Sequence, residues 1–121
     1  MARKISVAST KTTTAKETIY TVPVKNTGLW SLMYVISTAG TVTPSVYWYD
    51  YSASKIAGSD VEYLVLSGKN LGAGEYLLLS QAEVALQEKD EIRISQSSTS
   101  SVTYIATVEL VPNIATQFHG E

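Results

Sequence analysis

The chain has 121 residues, of which 45% are hydrophobic and 17% charged, and its formal net charge is −2. This length predicts one domain, and the nearly neutral charge excludes an electrostatic case for a nucleic acid or an anionic membrane as partner. The chain has no cysteine, which excludes disulfides and thiolate metal sites and suits assembly in a reducing cytosol.

Residues 1–16 (MARKISVASTKTTTAK) are basic and contain no acidic residue. They lack the apolar core of a secretory signal, and no later stretch is long and apolar enough to predict a membrane span. We expect a flexible arm that contacts an acidic surface of a neighbouring protein; the alternative is a solubilising tail without a partner. The basic candidates for this contact are Arg3, Lys4, Lys11 and Lys16.

Alternating apolar residues between turn residues predict short strands along most of the chain. In the third of them, Pro44 indicates an edge position or a bulge. For residues 77–89 a helix is the alternative to strands, because residues that favour helices cluster there. Residues 52–60 are predicted as a loop. The predicted strands cover 17–23, 29–38, 41–50, 61–67, 75–80, 83–87, 91–96 and 102–111.

Eight short strands with turns between them predict an all-β fold, a single antiparallel β-sandwich of jelly-roll type. It is predicted to span 17–111, with a short C-terminal tail at 112–121. The alternation of the strands also predicts a common core: Trp30, Tyr34, Trp48, Leu64, Leu78, Ile94, Tyr104 and Val108.

Residues suited to catalysis are few. The one histidine, His119, lies in the predicted tail, where nothing would hold it against a nucleophile. Carboxylates fall at strand ends and turns, where they usually keep edges soluble. Two pairs of acids could bind a calcium ion, Asp60 with Glu62 or Asp90 with Glu91, although neither pair has the spacing of a dedicated calcium-binding loop. We therefore predict a protein that is not an enzyme, with no catalytic, cofactor or metal residues.

The aromatic stretch SVYWYDYSAS (45–54) carries the main candidate for a binding surface. In a strand, Trp48 points inward while Tyr47, Tyr49 and Tyr51 share the outer face. Bases would require interleaved Arg or Lys, and none occurs between 29 and 54, so nucleic acid is not expected. We interpret the three tyrosines as a protein interface; stacking on a glycan and a plain surface remain the alternatives.

The order of the segments resembles small bacteriophage virion proteins. The resemblance runs through ETIYTVP (17–23), SVYWYD (45–50) and LGAGEYLLLS (71–80), and continues with the segment EKDEIRISQ (88–96). It covers 17–111 and implies a structural subunit of a phage particle with a β-sandwich fold, located in the virion and assembled in the bacterial cytoplasm.

Two classes of function follow from these observations. The first is a homo-oligomeric capsid decoration or cement protein that binds itself and the major capsid protein, with a neck or tail component as its variant. The second is a carbohydrate-binding receptor-recognition module that uses the tyrosine row.

Overall fold

The computed structural model describes residues 3–66, 69–80 and 84–113, which form two antiparallel sheets packed face to face. Within these ranges there are nine strands and one short helix. They are β1 (Arg3–Lys11), β2 (Glu17–Thr21), β3 (Asn26–Ser37), β4 (Pro44–Tyr49), α1 (Tyr51–Ala57), β5 (Glu62–Leu66), β6 (Tyr76–Leu79), β7 (Val84–Leu86), β8 (Glu91–Gln96) and β9 (Val102–Pro112).

The strand order confirms the predicted sandwich of jelly-roll type. The first sheet has the order β1-β9-β3-β6, with the short strand β7 also paired to β3, and the second has the order β2-β8-β4-β5. Eight strands in two four-stranded sheets, with the chain passing repeatedly between them, are the jelly-roll plan. The edges of the first sheet are therefore β1 on one side and β6 with β7 on the other, and those of the second sheet are β2 and β5.

The predicted flexible arm is wrong for residues 3–11. These residues form β1, which pairs with β9 along its whole length, from Arg3 opposite Leu110 to Lys11 opposite Val102. Ile5 and Val7 pack against the core. The segment KISVAS has the strand period, and the long closing strand β9 offers it an edge to pair with, so it orders within its own domain.

At the other end, the predicted tail 112–121 begins inside the fold. Pro112 is the last residue of β9, and the amide of Asn113 donates a hydrogen bond to the carbonyl of Lys25 at 3.0 Å. Residues 114–121, including His119, lie outside the described ranges.

A bulge in β3 overturns the predicted alternation of that strand. Its register with β9 shifts between Trp30 and Leu32. An extra residue exchanges the faces of the residues that follow it. Trp30 is therefore buried together with Met33 and Val35, whereas Tyr34, predicted on the same face as Trp30, is turned to the outer face and is only half-buried.

The predicted core is correct where strands run regularly. Trp30, Ile94, Tyr104 and Val108 are buried, and Trp48 packs against the same cluster while partly buried. Three members were wrong. Tyr34 faces outward after the β3 bulge, and Leu64 and Leu78 are exposed to 57% and 53% because they lie on the outer faces of edge strands.

The stretch predicted as a loop contains α1. Asp50 caps its first turn by accepting a hydrogen bond from the amide of Ala53, and Gly58 ends it in the left-handed conformation with φ 76°. Both are the usual chemistry of helix ends. By contrast, the alternative helix over 77–89 is wrong, because β6 and β7 occupy that region.

Pro44 was predicted to mark an edge or a bulge; the register of β4 with β5 does shift between Val46 and Tyr47, but Pro44 does not mark an edge. It is the first residue of β4, which lies between β8 and β5 in the middle of the second sheet. Proline is tolerated at the first position of a strand, so this position required no unpaired neighbour.

Candidate functional site

The predicted tyrosine row is divided by the structure. Tyr47 and Tyr49 share the outer face of the second sheet, as predicted, but Tyr49 is buried and Tyr47 half-buried. Tyr51 has left the strand and opens α1. The strand period that placed all three together ends at Asp50, where the helix cap forms.

Each of these rings is contacted by a cation of the same chain. The guanidinium of Arg93 lies 3.7 Å from the ring centre of Tyr49, and the Nζ of Lys16 lies 4.2 Å from that of Tyr47. The sequence offered no sign of this, because the cations come from distant segments. The Nζ of Lys89 lies 5.1 Å from the ring centre of Tyr51.

Arg93 organises the outer face of the second sheet. Its guanidinium donates hydrogen bonds to Asp60 at 2.9 Å, Glu62 at 2.6 Å and Glu91 at 2.8 Å. Partial burial disfavours the charged form, but these three hydrogen bonds outweigh it and raise the pKa of Arg93 above its ordinary value. The guanidinium thus pairs with both acids of the Asp60–Glu62 pair, one of the two pairs for which a calcium ion was considered.

Glu62 joins this cluster to Lys16. The Lys16 ammonium pairs with the same carboxylate that accepts from Arg93. Burial works against ionisation of Glu62, but the hydrogen bonds from Lys16 and Arg93 prevail and lower its pKa below the ordinary value. The predicted interface cation Lys16 is therefore engaged within the chain.

The four predicted basic residues do not form one surface. Arg3 and Lys4 are exposed at the start of β1. The Lys11 side chain is only 2% exposed; its Nζ donates to the hydroxyl of Thr13 at 3.0 Å and lies 3.5 Å from Glu17. Lys11 thus contributes to the fold, and its burial leaves little of the side chain for the predicted interface.

A second buried polar centre is Asp90, in the turn before β8. It is fully buried. Its carboxylate accepts hydrogen bonds from the Trp48 indole at 2.9 Å and from the amides of Tyr51 at 2.9 Å and Gln87 at 3.0 Å. All these donors belong to the fold, so Asp90 holds the end of β4 against the β7–β8 turn.

The polar clusters around Arg93 and Asp90 are therefore satisfied by partners in the same chain. No group of three or more histidine, cysteine or acidic side chains there is arranged to hold a metal ion. Across the same ranges no helix is long and apolar enough to cross a membrane.

Large apolar side chains are instead left exposed, and sequence reasoning missed them. Of six such side chains among the described residues, four lie on two edge strands: Tyr63 and Leu64 on β5, and Tyr76 and Leu78 on β6. Their exposed fractions range from 47% to 58%. For β6 the signal was the uncharged run YLLL (76–79), of which Leu78 was predicted in the core because the edge position of the strand is not visible in the sequence.

The two strands lie on the same side of the sandwich. Val65 of β5 and Leu79 of β6 line one apolar cavity of about 190 Å³ between the sheets, together with Trp30 and Met33 from β3. We call the surface formed by Glu62–Leu66 and Tyr76–Leu79 the β5–β6 side. It is the candidate functional site among the described residues.

No family model and no curated protein matches the sequence. Among solved structures, the fold is similar to a chain of the T13 particle of infectious bursal disease virus, with a TM-score of 0.57 and 8% identity. That match covers 93% of this chain and 32% of the viral chain, so this protein spans about a third of its length.

Two further structures are similar at lower scores. A Bacillus endospore appendage, from a family of disulfide-linked pili, has a TM-score of 0.49 and 12% identity, covering 91% of this chain and 84% of that chain. A chain of the Gt strain of infectious bursal disease virus has a TM-score of 0.48 and 9% identity, covering 93% and 34%. At these identities the likeness concerns the fold alone, and the first match agrees with the jelly-roll sandwich.

Proposed function

We propose that this chain is a non-enzymatic structural component of a bacteriophage particle, bound to the capsid as a decoration or cement protein. The observation that carries the proposal is the apolar β5–β6 side. Tyr76 and Leu78 form an exposed apolar pair on the outer face of β6, next to Tyr34, and exposed apolar groups of this kind mark contacts with other proteins.

The outer face of the second sheet, where Tyr47 and Tyr49 lie, also favours a structural role over a carbohydrate-binding one. Lys16 and Arg93 lie over the rings of Tyr47 and Tyr49, so the ring faces that they contact are not available for stacking on a sugar. This weighs against the carbohydrate-binding alternative. The similar fold in the T13 viral particle is an analogy that supports a virion role without establishing it.

Its partners in this role are further copies of the chain and the major capsid protein, and assembly takes place in the host cytoplasm. Immunogold labelling of purified phage particles with antibodies against the chain tests the proposal. Label distributed over the head is expected. Label confined to the neck or tail would assign the protein to that part of the particle instead of the head. Particles without label would overturn the virion role.

A glycan array with the purified protein provides the second arm of the test. We expect no glycan to bind. A specific glycan hit that is lost in Tyr47→Ala would favour the receptor-recognition module instead.

A further inference from the structure

The edge strands of this sandwich are protected unequally. β1 has the exposed charges of Arg3 and Lys4 at its start. β2 carries an irregularity between Thr18 and Tyr20. Charges and bulges are the usual devices that prevent an edge from pairing with another chain.

β6 has none of these devices. Its four residues, Tyr76–Leu79, contain no charge and no proline, and they pair regularly with β3 from Met33 to Ile36. On its other side no strand among the described residues pairs with it. An uncharged, flat edge strand is a template for adding another strand.

The side chains of β6 alternate in a way that suits a strand partner. Leu77 and Leu79 point inward and pack against the core, whereas Tyr76 and Leu78 point outward and are exposed to 58% and 53%. The ring of Tyr76 lies 5.4 Å from that of Tyr34 on β3. Strand addition would therefore extend an apolar row that already crosses the sheet.

That row is visible in the register of the first sheet. Ala8 is opposite Ile105, Ile105 is opposite Tyr34, and Tyr34 is opposite Leu78. The row thus passes through all four strands and ends at the free edge of β6. Cross-strand apolar and aromatic pairs of this kind are the unit of sheet stabilisation.

We propose that two copies of this chain pair antiparallel through β6, which joins their first sheets into one continuous sheet. Pairing centred on Leu77 places Tyr76 of one copy opposite Leu78 of the other on the outer face. β6 can pair with a second copy of itself, because it carries no charge and two copies therefore place no like charges opposite each other. This pairing rests on the proposed structural role and adds to it the partner, a second copy of the chain, and the strand through which the two copies bind.

β6 alone would be too small an interface. A stable interface buries roughly 800 Å² per partner, more than a four-residue strand supplies. The neighbouring edge β5 lies on the same side and contributes the exposed Tyr63, whereas Leu64 lies opposite Tyr47 on the outer face of the second sheet. We therefore infer that the contact extends from β6 to the edge of β5.

Sedimentation equilibrium of the parent and of Leu78→Lys tests the pairing, with Ile56→Lys as the matched control because Ile56 is an exposed apolar residue on α1. We expect a dimer in the parent and in the control. In Leu78→Lys the dissociation constant should rise at least about tenfold, equivalent to about 1.4 kcal/mol, with an unchanged circular dichroism spectrum. A monomeric parent, or equal effects of the two substitutions, would overturn the proposal.

A cross-linking experiment checks the register and does not depend on Leu78→Lys folding. Because the chain has no cysteine, the double variant Tyr76→Cys/Leu78→Cys should form an intermolecular disulfide under mild oxidation, and Ile56→Cys should not. Equal cross-linking of both would refute pairing through β6. Dimers in solution together with particles that carry no label would reject the virion role while the pairing stands.

Discussion

The indole Nε1 of Trp48 donates a hydrogen bond to Oδ2 of Asp90 at 2.9 Å, deep enough that Asp90 has no exposed surface. Trp48 lies on β4 and Asp90 in the turn before β8, 42 residues apart in the chain. Since the same carboxylate also accepts from the amides of Tyr51 and Gln87, it fixes α1 and the β7–β8 turn against one strand.

We therefore predict that Asp90→Ala lowers the free energy of unfolding by at least about 3 kcal/mol, because it leaves three buried donors without an acceptor. Urea unfolding followed by tryptophan fluorescence measures the change. Asp60→Ala is the control; the Asp60 side chain is 64% exposed, and its loss should change stability by less than about 1 kcal/mol. Equal effects would show that Asp90 is not a structural centre.

Glu62 should make stability depend on pH in the acid range. Burial opposes its ionisation, but its pairing with Lys16 and Arg93 lowers its pKa in the folded protein. As pH falls, the folded state therefore takes up the Glu62 proton at a lower pH than the unfolded state does. The ionised Glu62 thus contributes its full stabilisation at pH values above the unfolded pKa. This stabilisation is lost as pH falls below about 4 and through the lowered folded value.

Glu62→Gln should consequently lower the free energy of unfolding by about 1 kcal/mol at pH 7. At pH 2 the variant and the parent should differ little in stability. Chemical unfolding of parent and variant at both pH values measures the difference. A difference that is the same at pH 2 and pH 7 would contradict the role of the ionised carboxylate.

Tyr49 is predicted to stabilise the fold, in contrast to an interface role. It is buried beneath the guanidinium of Arg93, so Tyr49→Ala should lower the free energy of unfolding by about 3 kcal/mol. Tyr51→Ala is the comparison, since that ring is half-buried and more distant from its cation; it should lose less than half as much. The reverse order in thermal melting would restore Tyr49 to the candidate interface.

Adjacent residues of β1 provide a test of its place in the fold. Val7 packs against the core while Ala8 is exposed. Val7→Asp should therefore destabilise the protein by at least about 2 kcal/mol, because it places a charge against apolar side chains, and Ala8→Asp should have less than about 1 kcal/mol of effect. If the urea midpoints of the two variants agree, residues 3–11 form the flexible arm that the sequence alone predicted.

The sequence by itself determined the class of fold. Alternation within short segments and turn residues between them are local properties, so β8 (Glu91–Gln96) was predicted with its observed bounds and β9 nearly so. Regular strands also preserve their inward face, and Ile94, Tyr104 and Val108 were accordingly predicted in the core.

Tertiary structure decided which strands became edges and where the alternation breaks. Leu64 and Leu78 have the same local pattern as core leucines, and only the strand order places them at the surface. The bulge after Trp30 is set by pairing with β9, which lies far away in the chain. The cation on each tyrosine likewise comes from another segment, as Arg93 does for Tyr49. Such relationships depend on long-range pairing, which a local sequence period does not encode.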